Sequence, residues 1–163
     1  MTPEQGIQQL MNKYRVAVLR VPLLAGNEAV NFTLDNFKMQ GFLGATFQPW
    51  ATRKTGWKRD KRKGRALLID TGRLRRSIRI TRITADSVSI GSNVKYAQAH
   101  NQGASISVIQ SVRSFSRSNG SNVKAHTRRV NVKIPRRQFM GNSPYLNARI
   151  SRVITATFLK ELR

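Results

Sequence analysis

An α+β domain is the fold class this sequence predicts, and three patterns carry that expectation. Apolar residues recur at steps of three and four at both ends of the chain. They alternate with polar residues in the middle, and an Asn-Gly pair separates two alternating runs. The expected architecture is a central, mostly antiparallel sheet with a long protruding hairpin, packed by N-terminal helices and a C-terminal helix. A single domain spans residues 1–163, with N-terminal helices in 1–45 and a basic loop in 48–66. The sheet, a short helix and a hairpin arm fill 67–134, and the C-terminal helix fills 143–163.

Ile7, Leu10, Met11, Tyr14 and Val18 form the first helical stripe. Val21-Pro22 is expected to end it, with Pro22 in the first turn of a second helix whose stripe includes Val30, Leu34 and Phe37. Gly41 and Gly44 close that pattern. From Gln48 to Arg65 the chain turns basic and loses apolar periodicity. Trp50 and Trp57 stand among those cations, where an indole can stack on a base or lie against a guanidinium group. Equally, Trp50 can plug the edge of the core and the charges can be a solvated loop.

Asp70 or Thr71 can cap a single helical turn. Ile78 and Ile80 then alternate as one strand, and Val88 and Ile90 as its partner. Residues 93–103 read as a short helix with a glycine stop. Ile106 to Val112 and Val130 to Ile134 alternate around a Ser-, Asn- and Gly-rich stretch, 114–127, centred on Asn119-Gly120. Asn-Gly between such runs signals a hairpin. Pro135 stops the last strand. Ser143-Pro144 starts the final helix, whose expected inward face is Leu146, Ile150, Val153, Ile154, Thr157 and Phe158.

Thirty Lys and Arg stand against seven Asp and Glu, a formal charge of +23. Residues 1–52 carry four bases and three acids, whereas 53–82 and 83–163 each carry thirteen bases and two acids. An uncompensated field of this size calls for a polyanion, most simply nucleic acid. Two alternatives to a structural role stay open on charge alone: a sequence-independent nucleic-acid-binding module, or an enzyme such as a nuclease. The second has little to stand on. There is no cysteine, and the two histidines, His100 and His126, pair with no nucleophile motif, phosphate loop or dinucleotide fingerprint. The seven carboxylates suggest neither an acid–base pair nor a metal cage. The expectation is therefore no catalytic residue, no metal and no cofactor. No apolar run is long enough to span a membrane, and the first residues lack the pattern of a secretory signal.

Four short segments occur in a distinctive order. They are Leu68-Ile69-Asp70-Thr71-Gly72-Arg73-Leu74-Arg75-Arg76-Ser77-Ile78, Ile90-Gly91-Ser92, Tyr96-Ala97-Gln98-Ala99-His100-Asn101-Gln102-Gly103, and Ile134-Pro135-Arg136-Arg137-Gln138-Phe139-Met140-Gly141. Together they resemble the virion morphogenesis, or tail completion, family of tailed bacteriophages. The likeness covers 67–163 and, more weakly, Phe37 to Trp50. It implies a tail terminator or head–tail joining subunit at the virion neck, reached from the host cytoplasm during assembly. It also implies a homo-oligomeric ring, a hexamer or a dodecamer, docked to connector or head-completion proteins and tail-tube proteins. Double-stranded genomic DNA would pass through its lumen.

The motif residues Thr71, Gly72, Leu74, Ile78, Tyr96, His100, Gly103, Pro135, Arg137 and Phe139 have fold-making roles in this reading, with Phe139 beneath the C-terminal helix. DNA-facing candidates are Arg53, Lys54, Lys58, Arg59, Lys61, Arg62, Lys63, Arg65, Arg113, Arg117, Arg128 and Arg129. The hairpin arm is expected to pack on a neighbouring subunit, with Phe115, Asn119, Gly120 and Val123 as interface candidates.

Overall fold

The computed structural model describes residues 2–53 and 65–161. Its spine is one helix, α1 (Pro3–Met39), which Thr2 and Gln5 open as a capping box with Pro3 in the first turn. Pro22 lies inside it, so the two N-terminal helices expected from the sequence are one. The proline leaves the Val18 carbonyl without its helical donor, but Val18 is exposed and water can serve instead. Packing on both sides of the proline keeps the helix continuous through it. Ala17 is buried before Pro22, and Phe32, Asn36 and Phe37 after it.

The strand segments are β1 (Gly41–Leu43), β2 (Phe47–Pro49), β3 (Arg79–Ile83), β4 (Val88–Gly91), β5 (Ala104–Val112), β6 (Phe115–Ser116), β7 (Asn122–Val123) and β8 (His126–Ile134). They pair as four separate antiparallel ladders, β1–β2, β3–β4, β5–β8 and β6–β7. The α+β class and the antiparallel pairing are as expected, but among the described residues the strands form four small ladders in place of one central sheet. Each ladder closes locally, and its open edges discourage joining. β2 ends in Pro49, β3 carries Arg79, Arg82 and an irregularity between Ile80 and Arg82, and β8 carries Arg128, Arg129 and Lys133. The β1–β2 hairpin has no counterpart in the sequence reading, because three-residue strands are too short to show alternation and Gly41 and Gly44 resemble helix stops.

Three further helices follow among the described residues: α2 (Arg73–Arg76), α3 (Ala97–Gln102) and α4 (Pro144–Glu161). α3 is shorter than the 93–103 expected. α4 runs along α1. Tyr14 and Phe158 stack at 5.7 Å, Arg20 pairs with Glu161, and Arg149 reaches Glu28 at 2.9 Å and Asp35 at 3.0 Å. Gly26 lets α1 approach β3–β4, since a Cβ there would lie 2.7 Å from Val88 and 2.8 Å from Ile80.

Two apolar clusters form the core. Phe37, Trp50, Leu74, Ile78, Val94, Ala97 and Phe139 make one, and Phe32, Phe42 and Leu146 the other. Phe139 therefore lies against Phe37 at 5.0 Å, not beneath the C-terminal helix as expected. Along α4 only Leu146 is buried. Ile150, Val153, Ile154, Thr157 and Phe158 are half-buried, because α4 has α1 on one side and solvent on the other.

Candidate functional site

The connector between β8 and α4, residues 135–143, shares an apolar cluster with Leu74, Ile78 and Ala97 of the motif segments through Phe139, and side chains from several elements hold it by its backbone. Asn36 of α1 is fully buried. Its Nδ2 donates to the Phe139 carbonyl at 3.1 Å, and its Oδ1 accepts from the Leu43 amide at 3.1 Å. Asn101 of α3 accepts from the amides of Phe139 and Met140 at 2.9 and 3.0 Å and donates to the Met140 carbonyl at 3.1 Å. The Trp50 indole donates to the Gln138 carbonyl at 2.6 Å, and the Ser143 hydroxyl to the Leu43 carbonyl at 2.6 Å. Backbone polar groups of an irregular segment need partners when buried, and these side chains supply them.

The motif residues line this arrangement. Leu74, Ile78 and Phe139 are buried in the core. Gly72 takes φ +70°, a conformation that favours glycine, and the Arg76 guanidinium donates to the Thr71 carbonyl at 3.0 Å. Gly103, at φ +79°, lies against the backbone of Arg136, and Pro135 follows the last residue of β8. Arg137 is buried. Its guanidinium donates to the carbonyls of Ala51 and Thr52 at 3.0 and 3.4 Å, and its amide donates to the His100 carbonyl at 2.8 Å.

The His100 ring meets Tyr96 edge-on at 5.8 Å. Its Nδ1 is buried with no hydrogen-bond partner among the described residues. Burial, and then the Arg137 charge, push its pKa below the ordinary histidine value. Burial likewise lowers that of Arg137, with Arg53 adding to it.

The cation candidates fall on two separate elements. The Arg53 guanidinium donates to the carbonyls of Arg65 and Ala66 at 3.4 and 3.1 Å, and Arg65 lies 3.7 Å from Asp70. Lys54, Lys58, Arg59, Lys61, Arg62, Lys63 and Trp57 lie outside the described residues. Arg113, Arg117, Arg128 and Arg129 are exposed on the hairpin. Adjacent strand residues point to opposite faces, so Arg128 and Arg129 do not share one. Arg128 is held by neutral Gln110, with both bonds near 3 Å, and none of Arg113, Arg117, Arg128 and Arg129 has an acidic partner among the described residues.

The interface candidates cluster at the hairpin tip. Phe115 pairs with Val123 across β6–β7, the Asn119 Oδ1 accepts from the Ser121 amide, and Gly120 turns at φ +80°. Trp50, its ring 5.5 Å from that of Phe37, belongs to the core and is not free to stack on a base.

Sequence reasoning passed over buried Asn36, half-buried Asn101 and the ion pairs of Arg149, and it read Ser143 only as a helix start. Asn36 lies between apolar Phe32 and Phe37 on α1, and that setting was the one available signal. It also missed an open cleft of about 650 Å³ lined by Asn31, Leu34, Asp35, Lys38, Arg75, Arg76, Ile78 and Arg149. Burial would raise the Asp35 pKa, but bonds from Arg149 and Lys38 outweigh it and hold the carboxyl below its ordinary value. The Asp35 bond, against burial, raises that of Arg149.

A model of the phage virion morphogenesis family matches residues 6–159, which include all four motif segments. No curated protein and no solved structure matches the chain.

Proposed function

The chain belongs to the phage virion morphogenesis family, and on that premise we propose that it is a ring-forming tail completion subunit, a tail terminator at the virion neck. A role in building the virion comes with the family. The family match across residues 6–159 is the observation that carries the finer reading, and the physical character of the surface supports it. Arg113, Arg117, Arg128 and Arg129 of the hairpin are exposed, and none of them has an acidic partner among the described residues. Such a surface suits DNA that must slide past, because phosphate contacts position without reading sequence. The chain is in this reading a structural subunit and not an enzyme. It contacts copies of itself, connector or head-completion proteins on one side and tail-tube proteins on the other.

The alternative, a free nucleic-acid-binding module, drew on tryptophans among the cations, and Trp50 is committed to the core. Two measurements test the proposal. Antibody-gold labelling of intact particles should mark the neck, and label confined to the capsid or to tail fibres would refute it. Binding to short duplexes should be blind to sequence, and log affinity should fall linearly with log salt by about 0.9 per phosphate neutralised. A marked preference for one sequence at matched salt would favour the module.

A further inference from the structure

We propose that two apolar faces left bare in the single chain meet between copies. The first turns of α1 in one subunit lie across the apolar face of the β5–β8 hairpin in the next. This deepens the ring reading above and rests on it.

The hairpin face follows from the register. Residues directly opposite in an antiparallel ladder point to the same side. Ile106 pairs with Val132 and Val108 with Val130, so four branched side chains share one face. The bonded Gln110–Arg128 pair closes it toward the tip. Ile106, Val108 and Val132 are 42%, 46% and 44% exposed, and the two strands pack chiefly on each other. A two-stranded ladder alone is marginal in water, and one with an uncovered apolar side needs something upon it.

The helical face has the complementary form. Ile7, Leu10, Met11 and Tyr14 follow at helical spacing and are 64%, 50%, 46% and 51% exposed. They continue the seam along which α1 meets α4, where Tyr14 packs on Phe158 and Ala17 is buried. The apolar seam thus runs on beyond the cover that α4 gives it. Ile7 to Tyr14 rises about 10 Å, and the apolar rungs from Ala104 to Val108 run about 14 Å. One short helix segment fits one short ladder.

Exposed area selects a second copy as the occupant. The chain exposes 12528 Å², whereas a compact monomer of its mass exposes about 8,200 Å². With about 160 Å² set aside for each of the fourteen residues outside the described set, an excess of at least roughly 2,000 Å² remains. Two standard interfaces take about 1,600 Å² from one subunit. The two faces are also different surfaces, which is what a head-to-tail ring requires and a two-fold dimer does not. Copies of charge +23 repel, so added salt should strengthen this contact by screening while it weakens DNA binding.

The test uses the full chain and two exposed substitutions, Leu10→Glu and Val108→Glu, with circular dichroism to establish that both fold. Sedimentation velocity should show wild-type oligomers that grow with salt, and association of each variant at least about tenfold weaker, since either change buries an unpaired charge. Mixing the variants should restore dimers, because the α1 of one and the hairpin of the other are both intact. Variants that still assemble like wild type would overturn this contact and leave the ring reading standing. Monomeric variants that give no dimer on mixing would also overturn the helix-on-hairpin pairing. A wild-type chain that stays monomeric at every salt concentration, or associates only with another virion protein, would overturn both.

Discussion

Replacing Asn36 by leucine separates the buried amide's hydrogen bonds from its volume. Asn36 is fully buried and bridges the Phe139 carbonyl and the Leu43 amide, both at 3.1 Å. Leucine removes both bonds and leaves two main-chain groups without that partner, at about 1–3 kcal/mol each. Its apolar burial offsets roughly 1 kcal/mol. The expected net loss is about 3 kcal/mol, or roughly 6–12 °C in Tm for a chain of this size. Urea unfolding followed by tryptophan fluorescence measures it well, because Trp50 bonds to the same connector through the Gln138 carbonyl. Asn147→Leu is the control. That exposed side chain bonds to exposed Asn142, and its loss should shift stability by under about 0.5 kcal/mol. An Asn36→Leu protein within about 0.5 kcal/mol of wild type would refute the idea that the connector depends on side-chain partners.

Other perturbations have equally definite outcomes. Arg149→Met should destabilise by about 1–2 kcal/mol in urea, since it strips Glu28 and Asp35 of their shared cation in a partly exposed site. The lowered Asp35 pKa adds stability above the ordinary carboxylate range that is lost as pH falls through the folded value, and the variant should lack part of it, seen as acid unfolding at higher pH. His100, with its pKa depressed in the fold, should make the protein lose stability as pH drops below about 6.5. His100→Gln should flatten melting temperature against pH between about 7.5 and 5, and an unchanged slope would exclude His100 as its source. Ile154→Ala should lose about 1–2.5 kcal/mol, half the fully buried range, because the side chain is half-buried. Arg129→Ala, on an exposed strand face, should stay within about 0.5 kcal/mol in the same melts.

What was legible in the sequence follows from how local each signal is. Alternation around Asn119-Gly120 marks strands because cross-strand pairing repeats every second residue, and Ser143-Pro144 marks a helix start because capping is decided within one turn. The continuity of α1 was not legible. Pro22 is a local break signal, overruled by packing with residues more than a hundred positions away. Neither was the division into four ladders, since alternation fixes a strand's faces and not its lateral neighbours. Of the site, the motif glycines and apolar anchors could be read directly. The polar clamp of Asn36, Asn101 and Ser143 could not, because its partners are main-chain atoms that carry no sequence signature.

The hydrogen bonds around Arg53 and Arg137 have one more consequence. The chain leaves the described fold at Arg53 and re-enters at Arg65, and the Arg53 side chain itself bridges the two ends. Arg137 fastens the outgoing strand through Ala51 and Thr52, and Gln40 fastens the return through Leu67. Both margins of the interval are thus anchored by residues that lie outside residues 54–64. Six bases lie within that interval. A substitution within 54–64 removes none of these bonds.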